Sequence, residues 1–321
     1  MVIKLKTGSR EGQEHLKYAL DRLCDKQANI EKLKRKIAAC KGKVTWLVAG
    51  PVEPLDARYP APEAPKDYTV IATDGSHIDI DRHKSVRCIV INIGSVMMRY
   101  GTEPQASLES SPQLYCDEND LVIKDENDQR KKHPIDSTLL GIKRGVEECK
   151  KLTEMASALP AGSQAIALLD GTLVVWGLEA YPGFVASALL QKEFLPYFDR
   201  IRKLNDTRSI ALASYISLPR SSEVVNALRV AICPQEIPNC DQCPETDGAH
   251  ACDIVSGVQD YRVFSEILKN GERSALFYSQ SRVVNEHYGQ NAIYFFYLRV
   301  DDEIARIEVP EWVVRDKGGA L

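Results

Sequence analysis

The sequence predicts an α/β protein: a mixed sheet flanked by helices. Three observations carry this. Short apolar, β-branched runs alternate with amphipathic segments long enough for helices. Two of those runs, VIATDGS and ALLDGTL, reach an Asp-Gly pair at Asp74 and Asp170. Between them lies one long segment with a helical apolar stripe, opened by Asp136-Ser137 and stopped by Pro160 and Gly162.

In chain order, residues 9–42 set Leu16, Leu20, Leu23, Ile30, Leu33 and Ile37 among charged residues at spacings of three, four and seven, the pattern of a long amphipathic helix. Residues 1–50 are therefore expected to form a helical N-terminal arm. It either packs on its own domain or serves as an interaction helix. Five prolines in residues 51–66 mark a connector. The main domain, 66–315, opens with strands over 68–73, 86–93 and 95–100, a three-strand meander around Gly94. Residues 103–135 are polar and irregular, with a short strand at LVIKD. Helix is expected over 136–159, 184–204, 222–231 and 260–269. Strands are expected over 165–169 and 209–217 and in the closing runs LFYSQS, AIYFFYLRV and EIARIEVP.

The 321 residues are 44% hydrophobic and 27% charged, an ordinary globular balance. No apolar run of about 18 residues is present, so no membrane span is expected. The first twenty residues lack the apolar core of a secretory signal, which points to a cytoplasmic protein. A net charge of −4 means that nucleic acid would be held by a local basic patch or through metal, not by the overall field.

The carboxylates Asp74 and Asp170 need a reason to sit at the ends of apolar runs, because an unpartnered buried charge costs several kcal/mol. Asp-Gly is a common turn pair, so each alone reads as turn or ligand. The helix between them helps decide. Glu148 shares a stripe with Leu152, Met155 and Leu159, whereas Glu147 points with Lys151 and Glu154, so Glu148 is the acid that faces inward. The order strand-Asp, two strands, helix-Glu, strand-Asp matches an RNase H-like core. Converging carboxylates raise one another's pKa. One or two divalent cations relieve this, and oxygen ligands suit Mg²⁺ or Mn²⁺. LLDGTL also resembles the Asp-x-Asp-Gly-Thr of dehalogenase-type phosphatases, but the nucleophile's position is Leu168, which excludes that chemistry.

The ordered set ATDGSH, Arg144-x-x-x-Glu148, LLDGTL, SYISLPRSSEVVNALR, DYRVFSEILKNGERSALFYSQS and RVDDEIARIEVPEWV resembles the NurA-family nucleases over most of residues 66–315. The resemblance implies an RNase H-like fold and a Mn²⁺-dependent nuclease acting on DNA ends. It also implies a homodimer docked on a HerA-type hexameric DNA-translocating ATPase in recombinational repair. Asp74 and Asp170 would be metal ligands and Glu148 the helical carboxylate, with Arg144 orienting that acid or a phosphate. The family continues after E-V-P-E-W into a helix bearing a Tyr and, eight residues on, a His. This sequence ends at WVVRDKGGAL, and His287 and Tyr288 do not match those positions. A second reading follows: a catalytically incomplete assembly or DNA-binding subunit of the same complex.

Residues 232–256 form a Cys-rich insertion, Cys233-x6-Cys240-x2-Cys243-x8-Cys252, with His250 nearby. Four thiols in a Pro/Gly-rich loop suit a structural, tetrahedral Zn²⁺; redox thiols and an iron–sulfur cluster are the alternatives. The other five cysteines lie apart and mostly read as small core hydrophobes. Arg220 and Arg273 are candidates for DNA phosphate contacts or for salt bridges to a neighbouring strand. His77 reads as a turn residue or a metal-site wall, His83 flanks the same motif, and Asp79 and Asp81 suggest a solvated hairpin. Trp312 reads as a packing residue.

Overall fold

The computed structural model describes residues 10–25, 29–80, 87–243 and 250–316; Asp81 and His83 lie outside them. The chain is mixed α/β and forms two units, one of residues 1–61, 216–281 and 294–307, the other of residues 62–215, 282–293 and 308–321.

The second unit carries Asp74, Glu148 and Asp170. Its sheet contains β1 (Tyr68–Ile80), β2 (Cys88–Tyr100), β3 (Gln105–Tyr115), β4 (Gln164–Asp170) and β5 (Ser209–Ile216), in the order β5-β4-β1-β2-β3. β1, β2 and β3 are antiparallel neighbours, while β4 runs parallel to both β1 and β5. The antiparallel meander differs from the expected one: the runs 86–93 and 95–100 form the single strand β2, and the third strand is β3. β1 does not stop at Asp74: it continues through Gly75 and Ser76, with Asp74 facing Gly94 across an unbroken ladder. β2 likewise passes straight through Gly94. β3 occupies a segment read as irregular, QASLESSPQLY, and its side chains are almost all exposed.

The long helix is α1, Ser137–Ala158. Asp136 caps it, its side chain accepting from Leu139 N at 2.9 Å, an arrangement that stabilises by about 1 kcal/mol. One stripe of α1 buries Leu139, Leu140, Cys149, Leu152 and Ala156, and Glu148 lies on it. The expected helix over 184–204 is an α-helical run interrupted by a π-helical stretch at Ser187–Phe194.

In the first unit the N-terminal segment forms two helices, Arg10–Leu23 and Ile30–Ala39, rather than one. Asn29 caps the second by accepting from Lys32 N. Leu23, Leu33 and Ile37 join Leu228, Phe264, Phe277 and Tyr297 in one core; burying each such side chain contributes roughly 1.5–3 kcal/mol. Two buried charges in this unit have close partners. Asp260, wholly buried, accepts from Val224 N, Val225 N and the Tyr297 hydroxyl, and Arg306 bonds Glu223 at 2.6 Å.

Candidate active site

Register places the two aspartates. β1 and β4 are aligned in parallel with Thr73 beside Leu169, so Asp74 and Asp170 come next on adjacent strands. Neighbouring residues of a pleated strand leave opposite faces. Thr73 faces α1, where its hydroxyl donates to the Glu148 carbonyl at 3.1 Å. Asp74 and Asp170 therefore share the other face, and both are exposed. β4 ends at Asp170, and the chain turns at Gly171 in the left-handed region, φ 99°, a conformation that strains any residue with a β-carbon.

Glu148 approaches from the helix side and is 4% exposed. Its carboxyl packs on Gly75, where an added β-carbon would overlap Oε1. Arg144 Nε lies 3.0 Å from Oε1, yet neither atom makes a directed hydrogen bond. Burial is the main force pushing the Glu148 carboxyl up to about 7. Arg144 opposes that rise, the charge of Asp74 adds to it, Gly75 N–H opposes it, and Asp170 adds again. Glu147 lies on the neighbouring, less buried face and pairs with Lys150.

His77 is not in a turn. It sits in β1 on the same side as Gly75, half-buried, with a buried Nδ1 that makes no hydrogen bond. Burial first, then Arg144, holds its pKa below the usual imidazole value.

Carboxylate oxygens suit a hard divalent cation: the charges of Asp74 and Asp170 both act on Glu148, whose Oε1 is buried without a directed hydrogen bond. Among the described residues, however, no three His, Cys, Asp or Glu side chains stand together in coordinating geometry. The strand pleat explains this, since it directs the aspartates away from the helix that brings Glu148.

Glu308, one residue before V-P-E-W, had no role assigned from the sequence. It is 1% exposed and its Oε2 accepts from the Thr172 hydroxyl and Leu173 N, 2.7 and 2.8 Å away. Tyr288 completes the clamp, donating to Leu173 O and accepting from Val175 N. Together they hold the loop that follows Asp170. Nothing in the local pattern signals this, because both partners lie more than a hundred residues away.

The remaining candidates belong to the first unit. Arg273 is 6% exposed, bonds both oxygens of Glu53 at 2.9 and 3.3 Å and lies over the Tyr59 ring. This is the salt-bridge alternative, with its partner in the connector rather than a strand. Arg220 is exposed. Cys233 and Cys252 are buried, and Cys240 and Cys243 half-buried. Burial raises the Cys243 thiol first, and Cys233, Cys252 and Cys240 raise it further, but among the described residues the four do not form a group in metal-holding geometry. Trp312, in the second unit, packs as expected, its indole donating to Asn291.

No curated protein matches the chain. Among solved structures, an Argonaute of Kluyveromyces polysporus with a guide RNA aligns at 9% identity and a TM-score of 0.16, covering 76% of this chain and 22% of the Argonaute. The chain thus spans about a fifth of that protein, and the likeness carries no argument. The NurA domain family matches residues 68–321, taking in Asp74, Glu148 and Asp170 with the strands and helix that hold them, and the chain belongs to this family of nucleases.

Proposed function

We propose that the chain is a metal-dependent DNA nuclease that hydrolyses phosphodiester bonds at single-stranded or duplex ends. In this reading it works as a homodimer with a HerA-type hexameric ATPase in recombinational repair. The observation that carries the proposal is the buried Glu148 carboxyl, whose Oε1 makes no directed hydrogen bond, coming from the helix toward the adjacent strands that bear Asp74 and Asp170. Those three would hold Mn²⁺ or Mg²⁺, and the cation would activate water and steady the leaving oxygen. Arg144 keeps Glu148 in place, and Gly75 leaves room for its carboxyl.

The dimer has support in one surface. The face of β1, β2 and β3 that bears Asp74 also carries Ile78, Leu108 and Leu114, which are 63%, 77% and 61% exposed. Large apolar side chains left this exposed on one sheet face suit an interface. The four clustered cysteines are proposed to hold structural Zn²⁺, Arg220 to meet phosphate, and a cytoplasmic setting suits reduced thiols. No described helix is long and apolar enough to cross a membrane.

The test is a Mn²⁺-dependent assay on single-stranded and end-bearing duplex DNA. Activity that disappears in Asp74→Ala and Asp170→Ala supports the proposal. A second reading, a non-catalytic assembly or DNA-binding subunit, is favoured by the lack of a converged triad among the described residues. Inactivity even with the partner ATPase would select it.

A further inference from the structure

Cys88 opens β2, and Cys116 follows directly on β3. They stand one step beyond the facing pair Ile89 and Tyr115. Their sulfurs are 2.7 Å apart, with Cys116 donating to Cys88. Neither is a core residue: Cys116 is exposed and Cys88 half-buried. Directly facing residues of an antiparallel pair have Cα atoms about 4.5–5.5 Å apart, inside the roughly 4.4–6.8 Å window that a disulfide requires. Bonding these sulfurs needs no rearrangement of the strands.

We propose that Cys88 and Cys116 form an oxidisable thiol pair that a peroxide closes to a disulfide. The Cys116 sulfur attacks the O–O bond, which breaks to release water or an alcohol and leaves a sulfenic acid. The Cys88 sulfur then displaces the hydroxyl as a second water, and the S–S bond forms. The two thiols give up two electrons and two protons, and one peroxide is reduced. The hydrogen bond to Cys88 is the main cause raising the Cys116 thiol to about 11, so at neutral pH it stays protonated and reacts slowly without a strong peroxide exposure. Closure would clasp β2 to β3 beside Ile80, which faces Cys88.

The experiment uses the full chain, reduced and then treated with hydrogen peroxide, followed by digestion without reductant and mass spectrometry. The expected product is a linked Cys88–Cys116 peptide pair, lighter by two hydrogens. A melting temperature higher by roughly 5–10 °C should accompany it. Dithiothreitol should reverse both changes, and a Cys88→Ser/Cys116→Ser variant should show neither. Labelling of the wild type with N-ethylmaleimide before and after peroxide gives the same answer without any variant. Labelling unchanged at both positions would overturn the proposal. So would Cys116 running on to sulfinic acid, or either cysteine linking to another residue or a second chain.

Discussion

Gly75 and Glu148 compete for one volume: a β-carbon on residue 75 would meet Glu148 Oε1 and the Cγ of Arg144. Gly75→Ala should therefore displace the carboxyl. The expected loss is about 10²-fold in nuclease activity, with a destabilisation of about 1–3 kcal/mol from overpacking. Activity assays and thermal melts read the two effects. Full activity in this variant would remove Glu148 from the site.

Glu148 should also make the metal-free protein sensitive to pH. Its folded carboxyl titrates near 7, above its ordinary 4.5, so the folded state holds a proton that the unfolded state releases. Stability is then greatest below the unfolded value. It is lost as pH rises from about 4.5 to 7, by on the order of 3 kcal/mol, and is flat above that. Glu148→Gln should abolish this dependence, seen as urea midpoints that no longer fall across the window. Cation binding near pH 6 should release a proton for the same reason, which calorimetry in buffers of different ionisation enthalpy would detect.

Arg273 and Arg220 should separate cleanly. Arg273→Ala removes the bonds to Glu53, which keeps the Leu276 N–H, and should cost about 1–3 kcal/mol. Arg220→Ala should leave the melting temperature unchanged, weaken DNA binding, and reduce the salt slope by about one. Equilibrium unfolding and binding across a salt series check both.

Glu308→Ala should release the loop after Asp170. The stranded Thr172 hydroxyl and Leu173 N–H should cost about 2–4 kcal/mol, and activity should fall through kcat rather than KM. Glu308→Gln, which keeps one acceptor, should recover much of both.

Much of this was legible in the sequence where the physics is local. Asp136 announced a capped helix because its acceptor is needed within one turn, and the apolar stripe separated Glu148 from Glu147. The extent of β1 was not legible. Asp-Gly suggests a turn, but the ladder to β2 holds the backbone extended through it. β3 was hidden because it pairs by backbone hydrogen bonds and buries little, so its side chains carry no alternation. The meeting of Cys88 with Cys116, and of Glu308 with Thr172, depends on long-range pairing that no local pattern reports.

The exposed apolar face of β1, β2 and β3 has a practical consequence. The surface that would draw a second chain in is the surface on which Asp74 and Asp170 lie. Contact between chains and access to the two aspartates would then be governed by one face, so any turnover per chain should vary with protein concentration.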